Sequence, residues 1–519
     1  MTSTTVRPPC ASLPPAAPQG PLQAPPRALA CALLGLLLVA WAPGARPDDD
    51  AIDAPRFEDC TIGEGRARVT AECARVAVPL DHDDPGAGTL ELAVARLRAT
   101  RGGTDGSAFT MIAGGPGQSA IDSWPGVAFA FRHVARDHDV ILVDQRGTGD
   151  SARLDCPETG AVAGGELERT LDTDPEEIAR LARECLAGLD RDPRLFTTSV
   201  AVRDLEAVRA RLDIPDWHLY GVSYGTRVAQ HYARRHPERV RTLILDAVVP
   251  PDRALGPDIA PFADRALTLV FDRCAAGPDC ASRFPDIEAR TRRWLDELAR
   301  APRDVGYEDM ASGEERRETF SAADLAALLR LSTYSAQTAA LMPSMLDDAI
   351  ERGHLAPLVR QAALQGESLE ESLASGMHHA VVCTEDAPRY AADAAEASRD
   401  TYLGPSLVEA LRASCRDWPA GRLDADFFDP LAVDVPTLVL SGEADPITPP
   451  AYGERVAAAL PRARHVVNPG QGHMQAPLGC VPVLIARFVA AGGLDEADTA
   501  CLERLAPPPF FVDANGPLP

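Results

Sequence analysis

The pentapeptide Gly221-Val222-Ser223-Tyr224-Gly225 stands between an apolar, aromatic run, Trp217 to Tyr220, and a helix-like stretch from Thr226 to His236. A G-x-S-x-G placed between strand and helix demands a sharp turn. The flanking glycines are needed because a Cβ would collide in the strained backbone, and the helix N-terminus stabilises negative charge near the serine hydroxyl. A Gly-rich turn of no chemical consequence has the same spelling, so the meaning of Ser223 depends on what else the chain carries.

A nucleophilic serine needs a histidine to accept its proton and an acid to hold that histidine in the right tautomer. Thr437-Leu438-Val439-Leu440 reads as a buried strand running into Ser441-Gly442-Glu443-Ala444-Asp445-Pro446, a turn that leaves Asp445 at the carboxyl edge of a sheet. His465-Val466-Val467 reads as a short strand followed by Asn468-Pro469-Gly470-Gln471-Gly472-His473. Asp-Pro is turn chemistry in its own right, and His473 is one of 11 histidines. The order Ser, Asp, His, each after a strand, is what makes Ser223, Asp445 and His473 a set. A fourth stretch, Phe109-Thr110-Met111-Ile112, ends in Ala113-Gly114-Gly115-Pro116-Gly117-Gln118-Ser119, where residues without side chains leave N–H groups free for an oxyanion. The expected donors are the N–H groups of Gly115 and Tyr224. The strand Asp139 to Val143 leads into Asp144-Gln145-Arg146-Gly147-Thr148-Gly149, read as a supporting loop in which Arg146 pairs internally.

Together the Gly-Gly-Pro-Gly loop, Asp-Gln-Arg-Gly, Gly-x-Ser-Tyr-Gly, Gly-x-x-Asp-Pro-x-Thr-Pro and Gly-x-Gly-His resemble the secreted α/β-hydrolase serine peptidases related to prolyl aminopeptidase and tripeptidyl aminopeptidase, over about residues 56 to 505. The resemblance implies an exopeptidase that releases a tripeptide or a single residue from a free peptide N-terminus, with Ser223, Asp445 and His473 as the triad. Prolyl aminopeptidases usually carry His before Gly-Gly-Pro-Gly. Ala113 stands there in this chain, which is more similar to the tripeptidyl branch.

The expected fold class is α/β. From Phe57 to about Val249 strand-like runs alternate with helical stretches such as Val200 to Leu212, which predicts a mostly parallel sheet with helices on both faces. From about Pro250 to Pro430 helical periodicity dominates, as in Ala323 to Leu329 and Leu341 to Ile350, and an all-helical cap over the triad is expected. The segment from about Leu431 to Leu505 restores the last two strands and ends in a Pro-rich tail. The expected division is therefore 1–45 as signal peptide and N-terminus, 46–250 as first core half, 251–430 as cap, and 431–519 as second core half. Arg27 to Ala42 sets a basic residue before an apolar run too short for a membrane span, with Gly44 and Ala45 after it, which predicts a cleaved secretory signal. The expected location is secreted or periplasmic, without stable membrane association after cleavage. The first 26 residues are either an unusually long n-region or lie before the true start. Cys31 precedes the apolar run, which argues against a lipoprotein.

Of the 12 cysteines, Cys10 and Cys31 fall in that N-terminal segment. The rest predict five nearest-neighbour disulfides: Cys60 with Cys73, Cys156 with Cys185, Cys274 with Cys280, Cys383 with Cys415, and Cys480 with Cys501. No C-x-x-C pair or H-E-x-x-H helix occurs, so no metal and no cofactor are expected; His378, His379, Cys383 and Glu385 cluster, but a helix running into a disulfide explains them. All 51 basic residues are arginine, which excludes a Walker A lysine, a Schiff-base lysine and a Ser-x-x-Lys pair. The net charge of −25 makes nucleic acid an unfitting partner and favours a cationic peptide amine. Amine-binding acids are expected in the cap, where the resemblance places them, and Glu385 and Asp386 in Val381-Val382-Cys383-Thr384-Glu385-Asp386 are the candidates; the same two acids also suit the start of a helix. The alternative activity is a carboxylesterase with the same triad, since the triad sets acyl transfer but not the acyl group. An epoxide hydrolase would normally carry Asp at position 223, and an inert binding protein would not need an intact triad.

Overall fold

The computed structural model describes residues 55–517 apart from 64, 66, 104–105, 158–170, 172, 309–312 and 514. The expected signal segment lies outside the described residues. The described residues form eleven strands: β1 (Glu58–Ile62), β2 (Val69–Asp81), β3 (Asp84–Leu97), β4 (Ala108–Ile112), β5 (Asp139–Val143), β6 (Trp217–Val222), β7 (Val240–Asp246), β8 (Arg303–Glu308), β9 (Glu315–Phe320), β10 (Thr437–Gly442) and β11 (Ala463–Asn468). Nine of them make one sheet in the order β1-β2-β3-β5-β4-β6-β7-β10-β11. From β5 to β11 every pairing is parallel. β1, β2 and β3 are joined to it by antiparallel ladders.

Strands β4, β6 and β10 are buried along their whole length. Their near-continuous apolar runs are what a parallel strand covered on both faces requires. Alternation along β6 then separates two cores. Trp217 and Leu219 pack with Val202, Leu205, Val208, Val228 and Tyr232 of the helices Thr198–Arg211 and Tyr224–Arg235. Tyr220 points the other way, into Trp124, Phe131, Leu484 and Phe488 of the helices Ala120–Phe131 and Val481–Ala491. Helices on both faces leave the carboxyl ends of the parallel strands as the edge where loops can build a site.

Residues between β7 and β10 form a helical insertion with its own core, in which Leu267, Phe271, Trp294, Leu298, Leu325 and Leu329 meet. Its helix Ala322–Ser332 starts at a capping box, with Ser321 and Asp324 satisfying each other's backbone N–H. The insertion is not all-helical, contrary to expectation: β8 and β9 pair as an antiparallel hairpin. The hairpin escaped notice because only Val305, Tyr307 and Phe320 are buried among its charged residues. Cross-strand polar pairs support it, with Thr319 Oγ1 donating to Asp304 at 2.9 Å. All five nearest-neighbour disulfides are formed, closing loops of 6 to 32 residues. Among the described residues no helix is long and apolar enough to cross a membrane.

Candidate active site

Ser223 follows β6 directly, with φ 54° and ψ −126°, a conformation that an L-residue adopts only where its surroundings impose it. The two glycines of the pentapeptide impose it by close approach. A Cβ on Gly221 would lie 2.5 Å from the Gly225 carbonyl oxygen, and one on Gly225 would lie 2.2 Å from that of Ile112. The Ser223 N–H donates to the Asp246 carbonyl at 3.0 Å, and its own carbonyl accepts the Thr226 N–H at 2.9 Å. Between buried neighbours, Ser223 remains partly exposed. The loop after β4 runs directly past it, since a Cβ on Gly114 would come within 3.1 Å of the Ser223 Cβ. Gly115 takes φ 104°, open to glycine alone at little cost. Among the described residues neither the Gly115 nor the Tyr224 N–H is taken up by a carbonyl.

Asp445 follows β10 and His473 follows β11, at the same sheet edge as Ser223. The His473 Nδ1–H donates to Asp445 Oδ2 at 2.8 Å, which leaves Nε2 as the acceptor of the neutral ring. Asp445 is fully buried and held by three more donors, the N–H groups of Ile447 and Thr448 and the Thr448 hydroxyl, each at 2.9 Å. Burial alone would pull the His473 pKa down, but the charge and hydrogen bond of Asp445, with the charge of Asp246 behind them, outweigh it and leave it above the ordinary imidazole value. The loop itself is pinned by the insertion: the His473 N–H donates to the Tyr334 carbonyl at 2.8 Å, and the Tyr334 ring meets the imidazole edge-on at 5.2 Å between centroids. A Cβ on Gly472 would strike that carbonyl at 2.4 Å, so the glycine lets the two chains meet.

A family model described as the alpha/beta hydrolase fold matches residues 108–477. The chain belongs to the α/β-hydrolase family. This hydrolase is similar to a tripeptidyl aminopeptidase of Streptomyces coelicolor, 25% identical over 510 residues and covering 87% of each chain. It is also similar to serine protease Hip1 of Mycobacterium tuberculosis, 29% identical over 239 residues, which are 43% of this chain and 45% of Hip1. The chain thus spans less than half the length of the Hip1 proteins it matches. A third relative, carboxylesterase B of Mycobacterium tuberculosis, is 28% identical over 319 residues, 56% of this chain and 59% of that protein.

The loop after β5 supports the hydrolase's serine turn from below. Arg146, fully buried, forks onto Asp204 at 2.6 and 2.7 Å and donates to the carbonyls of Pro79, Leu80 and Leu195, so it pairs internally. Gln145 Nε2 donates to the Tyr224 hydroxyl at 3.1 Å. Asp144 accepts from Ser119 Oγ at 2.7 Å and from the Ile121 N–H at 3.0 Å, tying the Gly-rich loop to the helix after it. Burial, partly offset by these donors, pushes its carboxyl up to about 6.

Glu385 and Asp386, the expected amine-binding acids, are held within the fold by an ion pair with Arg227. Both are fully buried in a single π-helical turn, Val382–Asp386, where a wide turn carries the two adjacent carboxylates inward together. Arg227, on the helix that Ser223 caps, donates to Asp386 at 2.8 and 3.1 Å and to Glu385 at 3.2 Å. Glu385 also accepts the Thr198 N–H at 2.8 Å and the Thr198 hydroxyl at 3.0 Å, and Thr198 Oγ1 in turn lies 2.7 Å from the Tyr224 hydroxyl. Burial pushes Glu385 up to about 7 against the pull of Arg227. The pair buttresses the serine turn from behind. Cys383 is bonded to Cys415 beside it, and among the described residues no group of three or more His, Cys, Asp and Glu could hold a metal.

Two contributors were missed in the sequence. Asp246, the last residue of β7, is fully buried and accepts the N–H groups of Gln475 (2.8 and 2.9 Å) and Ala476 (2.8 Å) and the Tyr220 hydroxyl (2.8 Å). An Asp directly after the apolar run Leu243-Ile244-Leu245 was the signal available for it. Tyr334, just past a helix end, carried none.

Proposed function

We propose that the protein is an exported serine hydrolase acting as an exo-aminopeptidase, which removes a tripeptide or a single residue from the free N-terminus of peptides. The observation that carries the chemistry is the 2.8 Å bond between His473 Nδ1 and Asp445 at the sheet edge where Ser223 stands on its strained turn. A hydroxyl so exposed, an imidazole with its Nε2 free and a carboxylate locking the tautomer are the parts of covalent acyl transfer. In that mechanism His473 takes the Ser223 proton, Ser223 attacks the scissile carbonyl, the Gly115 and Tyr224 N–H groups receive the oxyanion, and His473 protonates the leaving amine. Water then releases the acyl portion by the same route. The peptidase reading is supported by the similarity to a tripeptidyl aminopeptidase over 87% of both chains. Export is supported by the five disulfides, which persist in oxidising compartments.

A carboxylesterase is the second reading, favoured by the similarity to carboxylesterase B. Matched chromogenic peptides that differ only in a free or acetylated N-terminus, in one-residue and three-residue forms, separate the two. Cleavage of the free forms alone is expected, and the form that is cut gives the step length. Hydrolysis of a short acyl ester with no cleavage of either amide would replace the peptidase by the esterase.

A further inference from the structure

Among the described residues four arginines are less than one-tenth exposed: Arg146, Arg209, Arg227 and Arg330. Three have carboxylate partners, Arg146 with Asp204, Arg209 with Glu206, and Arg227 with Glu385 and Asp386. This is what burial of a guanidinium demands, because an uncompensated charge away from water is costly. Arg330, 9% exposed near the end of the insertion helix Ala322–Ser332, has no ion pair among the described residues. Its Nη2 donates to the Tyr334 hydroxyl at 3.0 Å, and its Nε is buried with no acceptor. The Tyr402 hydroxyl is likewise buried without a hydrogen-bond partner. The charge of Arg330 bears on that phenol and on the His473 imidazole, so the unmatched donors and the triad share one neighbourhood. Tyr334 is the physical link, bonded to Arg330 through its hydroxyl and to His473 through its carbonyl, with its ring against the imidazole.

We propose that Arg330, assisted by the Tyr402 hydroxyl, binds a carboxylate of the substrate beside the triad. This deepens the peptidase reading and rests on it. A carboxylate accepts from both a guanidinium and a phenol, satisfying the Nε and Oη donors that the free protein leaves unmatched. Arg330 is joined to the histidine loop through Tyr334, and the histidine protonates the departing amine. The carboxylate therefore belongs either to the C-terminus of a short leaving portion or to an acidic side chain next to the scissile bond. In a chain of net charge −25 an anionic ligand is otherwise repelled, so a buried cation without an ion pair confers selectivity here.

Binding to the Ser223→Ala protein, measured by titration calorimetry, separates recognition from turnover. The first pair of probes is Ala-Ala-Ala-Ala as free acid and as C-terminal amide. The second is Ala-Ala-Glu-Ala amide and Ala-Ala-Gln-Ala amide. In at least one pair the carboxylate form is expected to bind about tenfold tighter, and that pair names the source of the carboxylate. Adding Arg330→Gln should bring the ratio to about one; Arg330→Lys, which keeps the charge but not the fork, should retain part of it; and Tyr402→Phe should reduce it. The Lys and Phe variants carry the test if the Gln variant fails to fold. Ratios near one in both pairs with Arg330 intact, or ratios that survive Arg330→Gln, overturn the proposal. If no peptide binds, the peptidase reading fails by itself. The same ratio is then read from hydrolysis of mono-4-nitrophenyl succinate against 4-nitrophenyl butyrate by the active protein, where a lack of Arg330-dependent preference again overturns the proposal.

Discussion

Asp246 grips Ser223 at one end and the histidine loop at the other. Its carbonyl accepts the Ser223 N–H at 3.0 Å, while its carboxylate accepts the N–H groups of Gln475 and Ala476, two and three residues beyond His473. One residue at the end of β7 thereby sets the spacing between the two halves of the site, which reach the sheet edge from β6 and β11. Removing its carboxylate would leave three buried donors unmatched. Asp246→Ala is expected to lose about 3–5 kcal/mol of stability and to lower kcat more than it raises KM. Urea unfolding and steady-state kinetics together test this; a wild-type kcat would show that the loop holds its place without Asp246.

Ser223→Ala removes the proposed attacking oxygen and little else, because the turn is imposed by Gly221 and Gly225. Turnover should fall by at least about 10⁴-fold while the melting temperature stays within about 2 °C. Substantial residual hydrolysis by the folded variant would remove Ser223 from the mechanism.

The pH dependence follows from the imidazole. In the proposed mechanism His473 must be neutral to accept the serine proton, and its pKa stands above 6.5 because Asp445 favours the charged ring more than burial disfavours it. The acid limb of kcat/KM should therefore have its midpoint above pH 6.5. Asp445→Asn removes the charge and misplaces the tautomer, so kcat should drop about 10³–10⁴-fold and the limb should move to lower pH. An unshifted limb in that variant would assign the titration to another group.

Arg227 compensates two buried carboxylates at once. Arg227→Met should cost about 3–5 kcal/mol, read from thermal or denaturant unfolding. The pH dependence of stability isolates Glu385, whose folded pKa is raised from 4.5 to about 7. Its contribution is fully present below pH 4.5 and is lost as the pH rises through about 7. The melting temperature of Glu385→Gln should gain on the wild type across that window; parallel curves would mean that Glu385 is charged throughout.

The Cys383–Cys415 bond closes a 32-residue loop at the π-turn that carries Glu385 and Asp386. Replacing both cysteines by serine should cost about 2–4 kcal/mol. Calorimetric unfolding checks it, and an unchanged melting temperature would show that packing alone holds the turn.

The parallel strands were legible because strands buried on both faces are spelled as short apolar runs between turn residues, as in Asp139–Val143 and Thr437–Gly442. The loops bearing Asp445 and His473 were legible for the same reason, as turn chemistry after such runs. The hairpin of β8 and β9 was not, because most of its residues are charged and exposed. Glu385 and Asp386 were read as amine-binding acids because the resemblance places such acids in the cap, and the ion pair they make was not legible along the chain. Arg227, their partner, lies 158 and 159 residues away.

What the sequence by itself determined is local: the Gly-x-Ser-x-Gly turn between strand and helix, the strand and helix periods, the order of Ser223, Asp445 and His473, and the nearest-neighbour disulfides. These rest on backbone sterics, side-chain period and short loops, all acting over a few residues to a few tens. Tertiary structure alone decided which buried charges meet. It matched Arg227 to Glu385 and Asp386, turned Asp246 toward the histidine loop, and left Arg330 without a counter-ion among the described residues. The reason is physical: the energy of a buried charge depends on distance and local dielectric, and packing brings together in space groups that lie far apart along the chain.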